Sequence, residues 1–355
     1  MNKRKARARR FWALAKPRLA AALFGLAACA GIVAAFHVQM RRRAPSATAL
    51  PPGALSGRSF IERDEQLGLR TIPGLHEPQR LTWNGRTLFD VTYDTDEFGR
   101  RITPQPPGPY ERFAIFAGCS FVFGYGVQGG ETLPARFAED AVGRKLHVYN
   151  ESTVGWGPNH LLALLSDPAY PRGIAEKRGI WLYLFIEHHL QRAGGSVRDD
   201  SRLFTHPYYR VAADGRLERL AAAGVAHPPG EFGRFGYFMR NQFERYDLQM
   251  PQALLDQDIE LTAKILKESQ RLFRQKFASD GFYVILYPGN RSGPRLAARL
   301  ADADIRVLDY QKLFTSFDDK GDLCIFRGVE NHPNPVAYKI LADALYDDLE
   351  VAGAL

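Results

Sequence analysis

Residues 111–355 predict an α/β domain: a three-layer α/β/α sandwich built on a parallel sheet. Two observations carry this. From residue 112 onward, apolar β-type runs alternate with helical patterns, the signature of an open parallel sheet covered by helices. The final helix also has a clear start, with Asn334 placed to cap it and Pro335 suited to its first turn.

The elements follow in order. The candidate strands are Arg112–Ala117, Leu146–Asn150, Ile180–Ile186, Phe282–Tyr287 and Ile305–Leu308. Between the third and fourth, Leu255, Ile259, Leu266, Leu272 and Phe273 recur at roughly helical spacing and predict a helix over 254–277. Val336, Ile340, Leu341 and Leu345 supply the apolar face of the last helix. Residues 190–250 break the rhythm with a long insertion, FTHPYYRV and FGRFGYFMRNQFERY included. An excursion at a strand end forms either a lid or substrate wall, or a plain surface loop.

Upstream, residues 58–110 hold short alternating stretches such as LTWNG and LFDVTYD, read as a small β-rich lead-in. Residues 44–57, APSATALPPGALSG, have the composition of a linker. The first 43 residues stand apart: 11 Lys and Arg and no acid, framing an uncharged run from Leu19 to Phe36. As a helix this run rises roughly 27 Å, enough to cross a bilayer. Eight positive charges precede it and three follow, so the positive-inside bias places the N-terminus in the cytoplasm. The expectation is a signal anchor in a bacterial inner membrane with a periplasmic C-terminal domain. A cleaved signal peptide, or lipoprotein processing at Leu26-Ala27-Ala28-Cys29, are the alternatives.

The net charge of +8 belongs to that segment, since the remainder carries 36 basic against 39 acidic residues. Such a balance offers no electrostatic footprint for nucleic acid. Three cysteines, Cys29, Cys119 and Cys324, make no disulfide framework, and buried free thiols are the commoner state.

Open α/β sheets bind ligands at the carboxyl ends of their strands. Four segments converge there if the strands pair as predicted: Gly118-Cys119-Ser120, Glu151 to Gly157, Glu187-His188-His189, and Glu330-Asn331-His332 before the last helix. Serine-based ester chemistry needs a hydroxyl, an imidazole to take its proton, a carboxylate to hold the imidazole tautomer, and donors for the oxyanion. Ser120 can be the hydroxyl and His332 the base. Glu330, two residues earlier, points the same way in an extended chain. The Ser120 and Gly155 amides are the candidate donor pair.

In this order the segments resemble the SGNH, or GDSL-type, hydrolase family. Its four blocks correspond to GCSFVFGYG at 118–126, YNESTVGWGPN at 149–159, FIEHHLQR at 185–192 and ENHPNPVAYKILADAL at 330–345. The resemblance spans 112–351 apart from the insertion. It implies a flavodoxin-like sandwich and a carboxylester hydrolase or O-acyltransferase working through a Ser120 acyl-enzyme. The substrates it implies are an acyl ester or an acetylated envelope or exported polysaccharide, with no cofactor. Three departures stand out: Cys119 replaces the turn Asp, Glu330 replaces the orienting Asp, and His188, or Glu187 in a shifted register, replaces the oxyanion Asn. A neutral histidine can donate one hydrogen bond and a glutamate cannot; a lost oxyanion donor costs on the order of 10²–10³ in rate. The alternative is therefore a catalytically weak or inactive SGNH-fold binding or scaffold protein.

Tyr125, Trp156 and Asn159 are the candidate substrate contacts, with Tyr208 and Tyr209 as further aromatics able either to stack on sugar rings or to pack in the core. Glu187, His188 and His189 lack the spacing of a zinc helix, so no metal is expected. Gly124-Tyr125-Gly126-Val127-Gln128-Gly129 matches G-x-G-x-x-G, but its first glycine falls several residues past the strand. Those glycines are read as shaping the loop beside Ser120.

Overall fold

The computed structural model describes residues 55–57, 59–195, 206–220, 243, 250–277, 279, 281–317 and 320–355, all within one compact unit. The expected membrane segment, and most of the insertion, lie outside them. Among the described residues no helix is long and apolar enough to cross a membrane.

The lead-in consists of β1 (Leu55–Ser56), β2 (Ile61–Asp64), β3 (Gly68–Thr71), β4 (His76–Trp83) and β5 (Arg86–Asp94). β2 and β3 form one antiparallel hairpin, and β1, β4 and β5 form a second small sheet. Asn84 and Gly85, with φ of 47° and 76°, turn β4 into β5, which is what a two-residue hairpin with matching twist requires.

The main domain continues with β6 (Arg112–Gly118), α1 (Ser120–Phe123), α2 (Leu133–Asp140), β7 (Leu146–Ser152), α3 (Pro158–Ser166), β8 (Gly179–Phe185) and α4 (His188–Gly194). After the short hairpin β9 (Tyr208–Val211) and β10 (Leu217–Leu220) come α5 (Gln252–Phe277), β11 (Gly281–Leu286), α6 (Gly293–Leu300) and β12 (Arg306–Asp309). The chain ends with β13 (Cys324–Phe326), β14 (Glu330–Pro333) and α7 (Pro335–Val351). Five strands make one parallel sheet in the order β12-β11-β8-β6-β7. The order reverses between β6 and β8, and such a switch point opens a crevice at the carboxyl ends.

Strand side chains alternate between two cores, as the period of two demands. Phe113, Ile115 and Ala117 face a core completed by Leu161 and Leu165 of α3, Ile259 and Phe273 of α5, and Leu296 of α6. Ala114 and Phe116 face the other, with Phe137 of α2 and Leu341 and Leu345 of α7. Helices thus cover both faces of the sheet. Truncating one of these fully buried leucines to alanine costs about 2–5 kcal/mol.

The strand and helix bounds agree with the sequence reading to within two residues. Asn334 caps α7 by accepting from the Ala337 amide at 3.0 Å. Cys119 and Cys324 are both free thiols.

Candidate active site

β6 ends at the switch point and passes directly into the single turn of α1, with Ser120 as its first residue. Gly118 is demanded by packing: a Cβ there would meet Val122 Cγ2 at 2.8 Å and the Leu184 carbonyl at 3.2 Å. Gly124 closes the turn at φ 80°, and its amide donates to the Ser120 carbonyl at 3.0 Å. The Ser120 amide heads the turn, where a helical N–H has no acceptor one turn back.

His332 arrives from the far end of the chain on β14. Its Nε2 lies 2.7 Å from Ser120 Oγ, and its Nδ1 is hydrogen-bonded to Glu330 Oε1. The same Glu330 oxygen accepts from the His332 amide at 3.2 Å. Strand periodicity places 330 and 332 on one side, so the carboxylate reaches the ring without a special turn. Asn334 anchors this strand end by donating to the carbonyls of Asp322 at 2.6 Å and Cys324 at 3.3 Å. Glu330 is buried. A carboxylate on Nδ1 leaves Nε2 facing the hydroxyl as the proton acceptor, the arrangement that activates a serine.

The imidazole is held between two aromatic rings, Phe121 at 5.2 Å and Tyr125 at 5.0 Å between centroids. Tyr125 also packs on Phe60, Phe89 and Tyr93 of the lead-in. Of the residues expected to meet substrate it is the one that touches the serine–histidine pair. Trp156 and Asn159 correct that expectation. Trp156 is buried, its indole N–H donating to the Leu69 carbonyl at 2.8 Å. Asn159 is fully buried and donates to the Pro207 carbonyl at 2.8 Å. Tyr208 and Tyr209 are buried as well.

The third-strand block goes elsewhere too. The Glu187 carboxylate accepts from the Ser292 amide at 3.0 Å and its hydroxyl at 2.5 Å, tying β8 to the loop after β11. His188 is exposed at the start of α4, and His189 is fully buried with Nδ1 2.9 Å from the Tyr183 hydroxyl. Burial holds the His189 imidazole well below its ordinary pKa. Helix geometry at 188–194 turns these side chains along α4 rather than straight off a strand end. Gly155 adopts φ 90° in the loop after β7. Gly124 and Gly126, at φ 80° and 81°, shape the loop beside Ser120.

Sequence reasoning missed Arg101 and Tyr93. Arg101 is 2% exposed, yet its guanidinium donates to carbonyls of the turn that follows Ser120: Phe123 at 2.8 Å, Gly124 at 2.5 Å and Val127 at 2.7 Å. It lies over the Tyr93 and Phe123 rings at 4.7 and 5.0 Å. Burial pulls its pKa down to about 10. The Tyr93 hydroxyl accepts from the Gly126 amide at 2.9 Å, and burial pushes that hydroxyl up to about 12. The lead-in therefore braces the turn that presents Ser120. The one available signal was Arg100-Arg101 adjacent to a β-type stretch, and arginine is ordinarily a surface residue.

No family model and no curated protein matches this chain. Solved structures do. A psychrotrophic esterase from Pseudoalteromonas sp. is 11% identical, over 68% of this chain and 97% of that one, with a TM-score of 0.37. A protein of the G-D-S-L family from Desulfitobacterium hafniense is 12% identical over 66% and 98%, with a TM-score of 0.32. An acetyl xylan esterase from Butyrivibrio proteoclasticus is 12% identical over 70% and 65%, with a TM-score of 0.37. At such low similarity their activities remain theirs.

Proposed function

We propose that this protein is a serine-dependent ester hydrolase. The observation that carries the reading is the continuous chain from Ser120 Oγ through the His332 ring to Glu330. His332 takes the Ser120 proton as the oxygen attacks the ester carbonyl; the same proton then passes to the leaving alcohol, and an acyl-Ser120 intermediate remains. Water, activated by His332 in turn, releases the acid. An acceptor hydroxyl in place of water makes the protein an O-acyltransferase. The Ser120 amide, with the Gly155 amide, is the proposed oxyanion donor set.

The setting proposed for this chemistry is the periplasmic face of a bacterial inner membrane, reached through the 19–36 anchor, on acylated envelope or exported polysaccharide. The test is p-nitrophenyl acetate turnover by the full-length chain beside Ser120→Ala and His332→Ala. Loss in both variants is expected; equal rates in all three would refute it.

One observation favours a second reading, a binding protein with little turnover. The third-strand block ties Glu187 to Ser292 and His189 to Tyr183, so neither of these side chains is held ready for an oxyanion. On that reading, acylated-glycan affinity survives Ser120→Ala and no acyl-enzyme accumulates.

A further inference from the structure

A cavity of about 650 Å³ lies between the β9–β10 hairpin, α3 and α5. On α5, Lys264, Lys267, Glu268 and Arg271 stand at i, i+3, i+4 and i+7 and share one face of the helix. On β10, Leu217 and Arg219 lie two apart on one face, and the hairpin register sets Arg219 opposite Tyr209. α3 contributes Leu162, and none of Ser120, His332 or Glu330 lines the cavity. We propose that it binds an amphiphilic anion, a single carboxylate head on an apolar body.

Charge calls for the head. Arg216, Arg219, Lys264, Lys267 and Arg271 line the cavity against one carboxylate, Glu268. Three of these cations have carboxylate partners: Arg216 with Asp214 at 2.7 Å, Lys267 with Asp302 at 2.6 Å, and Arg271 with Glu268 at 2.6 Å. The other two do not. Arg219 donates to the Gln66 carbonyl, and Lys264 to the Gly215 carbonyl at 3.5 Å, the outer limit of a hydrogen bond. Among the described residues neither is paired with a carboxylate. Two cations without a counter-charge at one concave surface attract an anion.

The remaining lining decides the body. Leu162 and Tyr209 belong to a buried apolar cluster with Leu261 and Ile265, and Leu217 packs against it. Guanidinium and ammonium groups donate and cannot accept. The one carboxylate of the lining, Glu268, is held by Arg271, and the Ser166 hydroxyl already donates to the Leu162 carbonyl at 2.7 Å. A polyol needs acceptors for its hydroxyls and is poorly served by such a wall, whereas an apolar body needs none. Tyr209 is 5% exposed, and its hydroxyl has no hydrogen-bond partner among the described residues. It is one more donor in the wall without an acceptor.

The probe is hydrocinnamate, with two controls. Hydrocinnamamide keeps the body and lacks the charge; D-glucuronate keeps the carboxylate on a hydroxylated body. Binding to the full-length chain in nanodiscs of zwitterionic phosphatidylcholine, with empty nanodiscs as the blank, is followed by titration calorimetry at pH 7. Hydrocinnamate should bind at least about tenfold more tightly than either control, as the loss of a charge-assisted contact or of a buried ring implies. Its affinity should also fall as sodium chloride is raised, because the rim charges are screened. Arg219→Gln and Lys264→Gln should each weaken it about fivefold or more, while His332→Ala leaves it unchanged. Absence of hydrocinnamate binding, or binding of either control as tight as that of hydrocinnamate, would overturn the proposal. So would an affinity lost in His332→Ala and kept in both charge variants, which would put the acid beside Ser120. Arg219 is exposed and Lys264 half-buried, so if one variant fails to fold the other still reports on the site.

Discussion

The ends of β6 and β8 are neighbours on one sheet edge, at the switch point, yet they are put to different uses. The β6 end is braced from behind by Arg101 and Tyr93, which satisfy the backbone of residues 123–127 and leave Ser120 facing His332. The β8 end is turned into ties: Glu187 holds Ser292, and His189 is sealed against Tyr183. A place at the carboxyl edge is thus not enough to bring a side chain to the Ser120–His332 pair. What the neighbouring chain does with the strand end decides it.

The sharpest way to break this contrast is to remove the hydroxyl or the base. Ser120→Ala or His332→Ala should lower p-nitrophenyl acetate turnover by about 10³ or more, whereas His188→Ala at the other strand end should leave it within about twofold. Equal losses would erase the difference between the two ends. Next in size is Glu330→Gln, which keeps the shape but permits the wrong imidazole tautomer. A loss of about 10²–10⁴ in kcat with little change in KM is expected, read from steady-state kinetics.

Arg101→Met tests the brace. It leaves three carbonyls of the nucleophile turn without their donor, while relieving the cost of burying a charge. Turnover should fall about tenfold or more, with reactivity of Ser120 reduced more than global stability; Arg101→Lys should recover part of it. If turnover is unchanged, the lead-in does not brace the site.

The smallest effect concerns pH. His160 and His189 are fully buried, and burial holds both well below the ordinary imidazole pKa. For His160 the charges of His206, Arg192 and His189 act in the same direction. Unfolding frees these rings to bind protons near pH 6.5, so the unfolded state gains protons as pH falls below that value. Stability is therefore kept above about pH 6.5 and lost below it, by up to about 1.4 kcal/mol per pH unit for each ring. Urea melts between pH 7 and 5 should show the loss, and a His189→Gln variant should show less of it.

Much of this was legible in the chain itself. The five sheet strands stand out because apolar runs are broken by turn residues, and the α7 start because Asn-Pro is both cap and first turn. Ser120, Glu330 and His332 were visible because each sits at an element boundary in a recognisable order. Trp156 and Asn159 were misread because their burial depends on distant partners, Leu69 and Pro207, that no local pattern announces. Arg101 was missed for the same reason. Its carbonyl partners lie over 20 residues away, and only the folded lead-in brings them to it.

The central claim is that Ser120 is an activated nucleophile, and covalent trapping tests it most directly. The full-length chain would be treated with diisopropyl fluorophosphate and its peptides mapped by mass spectrometry. The account predicts a single phosphoryl adduct on the peptide carrying Ser120, absent in Ser120→Ala and formed far more slowly in His332→Ala. No adduct on Ser120, or one that forms equally fast without His332, would contradict it.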